Sequence, residues 1–222
     1  MSAGQINLRG LPPLLRAEIQ WGLHVHGQGD QRRVWEIPWI QAVVDHCYRT
    51  AASSLLDVGA AALKGRSGPA IVQEITGELR LVYLAPADTR DAGFIETEQF
   101  GVRFPARSGH FDFTGVPQRW LRDLLWDCAA GRLRSPQVPR TSYWLDLLRK
   151  FCLEFGTFLE HDAPGGGHDP AVLRAGHAER FVAEVRRRER LGLPALTLGS
   201  RVKGERAIVT SVVRHTLFNA GR

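Results

Sequence analysis

The stretch TSYWLDLLRKFCLEFGTFL, residues 141–159, decides how the chain folds. Trp144, Leu147, Leu148, Phe151, Phe155, Phe158 and Leu159 recur there at steps of three and four, which places them along one face of an α-helix. Thr141 stands where a capping hydroxyl belongs. A face this apolar and aromatic has to be covered by other helices, and the rest of the chain supplies them. The fold class read from the sequence is therefore mainly α.

Upstream, Pro12 and Pro13 suit the first turn of a helix over 11–26 that turns Leu15, Ile19 and Leu23 inward. Pro38 opens a second helix with Ile40, Val43, Val44, Cys47, Tyr48, Ala51 and Leu55 as its stripe. Pro69 opens a third, with Ile71, Val72, Ile75, Leu79 and Val82, that stops near Pro86. Over 99–114, Phe100, Val102 and Phe104 alternate with Gly101 and Arg103, and Phe111 and Phe113 flank Asp112. Two such runs joined by residues 105–109 read as a short β-hairpin. Another helix carries Trp120, Leu121, Leu124, Leu125 and Cys128 as far as Gly131. After Gly165, Gly166 and Gly167, read as a flexible loop, Asp169 and Pro170 restart a helix that carries Phe181, Val182 and Val185. A last helix over 205–219 turns Ile208, Val209, Val212, Val213 and Leu217 inward and Arg206, Thr210 and Arg214 to another face.

Charge divides the 222 residues unevenly. Residues 1–107 hold 11 Lys+Arg against 11 Asp+Glu, whereas 108–222 hold 18 against 12, the whole of the +6 net charge. The charge change suggests two helical subdomains, 1–107 and 108–222, and the basic half suits a polyanionic partner. Cations and short hydroxyls meet phosphate oxygens readily. The residues that fit this role are Arg140, Thr141, Arg149, Lys150, Arg186, Arg187, Arg188, Arg201, Lys203, Arg206, Thr210 and Arg214.

Other chemistries find less support. The glycine triplet is followed by His168, Asp169 and Pro170, not by the Lys-Ser/Thr of a phosphate loop. His24 and His26 would lie about 200° apart on a helix and could not share an ion. The pairs His161-Asp162 and His168-Asp169 read as surface loop residues, and the His177-x-Glu179 pair lacks the cysteine partner of a zinc deaminase. Cys47, Cys128 and Cys152 are too far apart for a metal motif and sit on apolar faces, as inert buried thiols do. No catalytic residue, metal or cofactor is expected. Neither a membrane-length apolar run nor a signal segment is visible, so a cytoplasmic protein with no membrane partner is expected.

Two longer strings carry a family resemblance: INLRGLPPLLRAEIQWGL at residues 6–23 and FDFTGVPQRWLR at 111–122. Both resemble segments of large site-specific integrases of high-GC bacteria. Residues 141–222 resemble the core-binding, SAM-like domain of tyrosine recombinases. Thr141, Tyr143, Asp146, Arg149 and Phe151 match its first helix, and Arg206, Ile208, Ser211 and Arg214 match a later one. The resemblance implies a clamp on double-stranded DNA, with other recombinase protomers as further partners. It also implies a separate carboxy-terminal domain in which a tyrosine attacks the phosphodiester while arginines hold the developing charge. His46 with Arg49, and His177 with Arg180, fit that domain's His-x-x-Arg box. The first has Tyr83 downstream but no His or Trp between them and too little chain ahead of it for the earlier catalytic residues. The second has no tyrosine after it, so the chain is expected to end where the catalytic domain would begin. The competing expectation is a helical accessory or inhibitory protein that meets a recombinase through exposed Trp21, Trp35 and Trp39.

Overall fold

A computed structural model of the chain describes residues 5–28, 34–105, 109–138 and 140–193. They form seven α-helices and one two-stranded antiparallel sheet, so the protein is mainly helical with a small hairpin. The helix expected over 205–219 lies outside the described residues. No described helix is long and apolar enough to cross a membrane. Two compact units divide at Leu84 and Ala85.

The first unit packs α1 (Pro13–Gln28), α2 (Ile37–Arg49) and α3 (Ser67–Tyr83) around a core that includes Leu15, Ile19, Val43, Val44, Ile71 and Ile75. α1 and α3 approach closely because Gly22 faces Ile75, whose side-chain carbons would lie 2.5 Å from any Cβ at that position. Pro38 does open α2, but the stripe ends earlier than its spacing predicts. Ala51 adopts a left-handed φ of 49°, which ends helical propagation. Tyr48 and Ala51 stay exposed, and Leu55 is buried from a separate 3₁₀ turn, Leu55–Asp57. Val82, expected inside, is also exposed.

The second unit begins with α4 (Pro86–Ala92), a short helix. Next come β1 (Phe94–Glu96), a 3₁₀ turn at Thr97–Phe100, and β2 (His110–Asp112). The hairpin exists, but its first strand is 94–96, with Ile95 opposite Phe111, and 100–104 pairs with nothing in the ladder. The alternation at 100–104 instead records which side chains face the core. Phe104 is buried, and Phe100 meets the edge of Trp126. Trp126 fixes β1 against α5 (Arg119–Leu133) by donating its Nε1 hydrogen to the Phe94 carbonyl at 3.0 Å. Ile95 and Phe104 thus share one core with Phe111, Phe113 and Leu121. The 107/108 break suggested by charge runs through this core, and the compact units separate 23 residues earlier.

α6 (Tyr143–Asp162) is the helix anticipated at 141–159, with Trp144, Leu147, Leu148, Phe151, Phe155 and Leu159 buried. α7 (Ala175–Arg190) lies against it: the Phe181 ring sits 5.6, 5.1 and 5.4 Å from those of Phe151, Phe155 and Phe158. Thr141 does not cap α6; the N-cap position is Ser142, without a side-chain hydrogen bond. Asp169 caps only a 3₁₀ turn, Pro170–Val172, by accepting from the Ala171 N–H. α7 begins five residues after Pro170 and is held at its start by buried His177, whose Nδ1 accepts from the Arg174 N–H at 2.9 Å.

Candidate nucleic-acid interface

α7 sorts its residues by helical spacing. Phe181 and Val185 face α6, so Arg180, Arg186, Arg187 and Arg190 fall toward the outside. Two acidic partners then decide what each arginine can do. Asp162 at the end of α6 receives the Arg180 guanidinium at 2.7–3.0 Å, and that contact holds its carboxyl below the usual range. Glu184 takes Arg187 in a two-point clamp, Nε to Oε2 at 2.7 Å and Nη2 to Oε1 at 2.9 Å, and accepts Arg188 Nε at 3.1 Å. These bonds, led by Arg187, pull the Glu184 carboxyl down to about 2. Arg188 also reaches buried Glu154 on α6 at 3.3 Å, which ties the two helices together.

The run Arg186-Arg187-Arg188, three equal cations in the sequence, is thereby split three ways. Arg188 is a half-buried strut between two carboxylates, Arg187 is clamped, and Arg186 is exposed without a partner among the described residues. Arg190, one turn further, is likewise exposed and unpaired among them. Cations in a helix's last turn also complement its dipole, so part of this pattern serves α7 itself.

The candidate residues on α6 divide as well. Lys150 lies one turn before Glu154, at the level where Arg188 crosses from α7, and is itself half-buried and partnered. Arg149 points elsewhere, toward the hairpin. Burial would raise the Asp112 carboxyl, but hydrogen bonds from Thr114, with His110 and Arg149 nearby, hold it low. The Arg149 Nε is buried with no hydrogen-bond partner. Arg140 and Thr141 are exposed just before α6 begins. Arg201, Lys203, Arg206, Thr210 and Arg214 lie outside the described residues.

Charge over the described part of the second unit is balanced, 15 Lys+Arg against 15 Asp+Glu. The imbalance is local: 170–193 hold six basic and three acidic residues, and 194–222 hold five basic residues and one glutamate. Sequence reasoning missed Glu154 and Glu184. Glu184 stands three and four residues before Arg187 and Arg188, a spacing that signals helical ion pairs, but Glu154 is 34 residues from Arg188 and carries no such signal.

Several other candidates have structural roles. The glycine triplet is a pinned turn with φ of 58°, 66° and 65°, a conformation that suits glycine. Buried Gln118 donates Nε2 to the carbonyls of Gly156 and Gly166, and Trp120 donates Nε1 to that of Gly167. His161 bonds the Thr157 carbonyl, and Asp162 serves Arg180. Burial pushes the thiols of Cys47, Cys128 and Cys152 up. Among the described residues, no group of three His, Cys, Asp or Glu could hold a metal ion. Comparison of the chain with protein-family models, curated proteins and solved structures finds no match to any of them.

Proposed function

We propose that this chain is the amino-terminal, DNA-binding portion of a tyrosine-type site-specific recombinase, gripping duplex DNA through phosphate contacts without cutting it. The observation that carries the reading is the end of α7. Packing of Phe181 and Val185 on α6 leaves Arg186 and Arg190 exposed and unpaired among the described residues, and residues 194–222 beyond them hold five basic residues and one glutamate. The two sequence strings at 6–23 and 111–122 supply the recombinase part of the reading, and the 111–122 string spans β2 and the start of α5.

The test is a salt titration of binding to a duplex of about 30 base pairs, followed by fluorescence anisotropy. Each phosphate contact steepens the plot of log affinity against log salt by about 0.9, so Arg186→Ala with Arg190→Ala should flatten it by about 2. No binding at low salt, or binding indifferent to salt, overturns the proposal.

A second reading, a helical protein that associates with a recombinase, draws on the first unit. Trp21 and Trp39 are exposed there, together with Val34 and Tyr48. Trp35 does not contribute, because its ring stacks on His26 at 3.7 Å. Co-purification with a recombinase and no shift of DNA would favour this reading over the first.

A further inference from the structure

We propose that Glu184 is a built-in competitor for DNA phosphate, occupying the guanidinium fork of Arg187 that a phosphate would otherwise take. The inference rests on the DNA-binding reading above and concerns how strongly that surface binds.

The clamp uses Nε and Nη2 of Arg187 together, the pair of donors with which an arginine meets two phosphate oxygens. Arg187 is 54% exposed, so DNA can approach it, whereas Arg188, at 22%, is shielded between Glu154 and Glu184. A phosphate that binds Arg187 must displace the Glu184 carboxylate and accept its proximity. With Glu184 present, the outer face of α7 offers Arg186 and Arg190. Without it, the face offers three cations on adjacent turns. Glu179 is the natural comparison: it lies on the same helix and is exposed, and it acts through space on Arg180, whose guanidinium Asp162 already holds, rather than clamping a guanidinium itself. Neutralising it changes the net charge equally and opens no guanidinium fork.

The experiment compares the unmodified full chain with Glu184→Gln, Glu179→Gln and the double variant Glu184→Gln/Arg187→Ala in the same anisotropy titration. Glu184→Gln should bind about fivefold tighter at ~100 mM salt, with a slope steeper by about 0.9, as one added phosphate contact requires. Glu179→Gln should stay within about twofold of the unmodified chain, and the double variant should return to it. Circular dichroism melts establish that each variant is folded. An equal gain from Glu179→Gln, or a gain that survives loss of Arg187, overturns the competitor role. So does a Glu184→Gln chain that binds no tighter than an unmodified chain that does bind. An unmodified chain that binds no DNA at low salt overturns the function itself.

Discussion

Glu18 is a buried carboxyl that joins parts of the first unit distant in sequence. It is 1% exposed on α1, and its two oxygens accept from three donors on two other segments, 54–55 and the end of α3. Oε2 accepts from the Leu55 N–H at 2.7 Å, and Oε1 accepts from Ser54 Oγ at 2.8 Å and from the Tyr83 hydroxyl at 3.2 Å. Each donor stranded by its removal costs about 1–3 kcal/mol when buried. Glu18→Ala should therefore lose about 3 kcal/mol in urea unfolding, and Glu18→Gln, which keeps one acceptor oxygen, clearly less. A loss below about 0.5 kcal/mol for Glu18→Ala would show the carboxylate to be dispensable. Gly22→Ala should cost about 1–3 kcal/mol for a different reason, because a Cβ at 2.5 Å from Ile75 forces α1 and α3 apart. Neither role was legible in the sequence. Glu18 and Gly22 look like ordinary members of a helix because their partners lie 36 to 65 residues away.

At the scale of elements, α7 is held by its aromatic contact with α6, by the Asp162–Arg180 tie between the two helices and by the Glu184 clamp within α7 itself, and the last two depend on acid. The Asp162 and Glu184 carboxyls both titrate below their usual values of 3.8 and 4.5 because they hold arginines. Groups depressed in this way stabilise the folded state above their unfolded pKa and lose that contribution as pH falls through the folded one. Stability should thus be level above about pH 5 and fall between about pH 4.5 and 2. Asp162→Asn and Glu184→Gln should flatten that fall in thermal melts recorded against pH; an unchanged acid limb in both would mean that the ties do not contribute. The helices themselves were legible, since α6 and α7 follow from apolar spacing alone. The hairpin was half legible. Alternation marked residues facing the core at 100–104, but pairing went to 94–96, where the Trp126 indole and the Gly93 turn, with its φ of 82°, position the strand.

Over the whole molecule, each unit has a core of its own, one around Ile19, Val44 and Ile75 and the other around Phe113, Leu121 and Phe151. Fragments 1–84 and 85–222, produced separately, should each give a helical spectrum and a cooperative melt. If the DNA-binding reading is right, fragment 85–222 keeps the salt-dependent affinity within about threefold and fragment 1–84 has none. Affinity confined to 1–84 would redirect the search to the first unit, which is nearly neutral, with eight Lys+Arg against seven Asp+Glu.

Apolar periodicity by itself determined that this protein is mainly helical, because a three-and-four spacing of large side chains can be buried only along a helix face. Composition likewise determined that the surplus positive charge lies late in the chain. Only the tertiary structure decided where the units part, which strand pairs with β2, and what the arginines of α7 are doing. Arg186, Arg187 and Arg188 are equivalent as letters. They became an exposed cation, a clamped one and a half-buried strut because the fold brought Glu154 across from α6 and helical spacing set Glu184 beneath two of them. Contacts between residues tens of positions apart, such as Glu154 with Arg188, have no periodic signature, so charge pattern alone could not have sorted them.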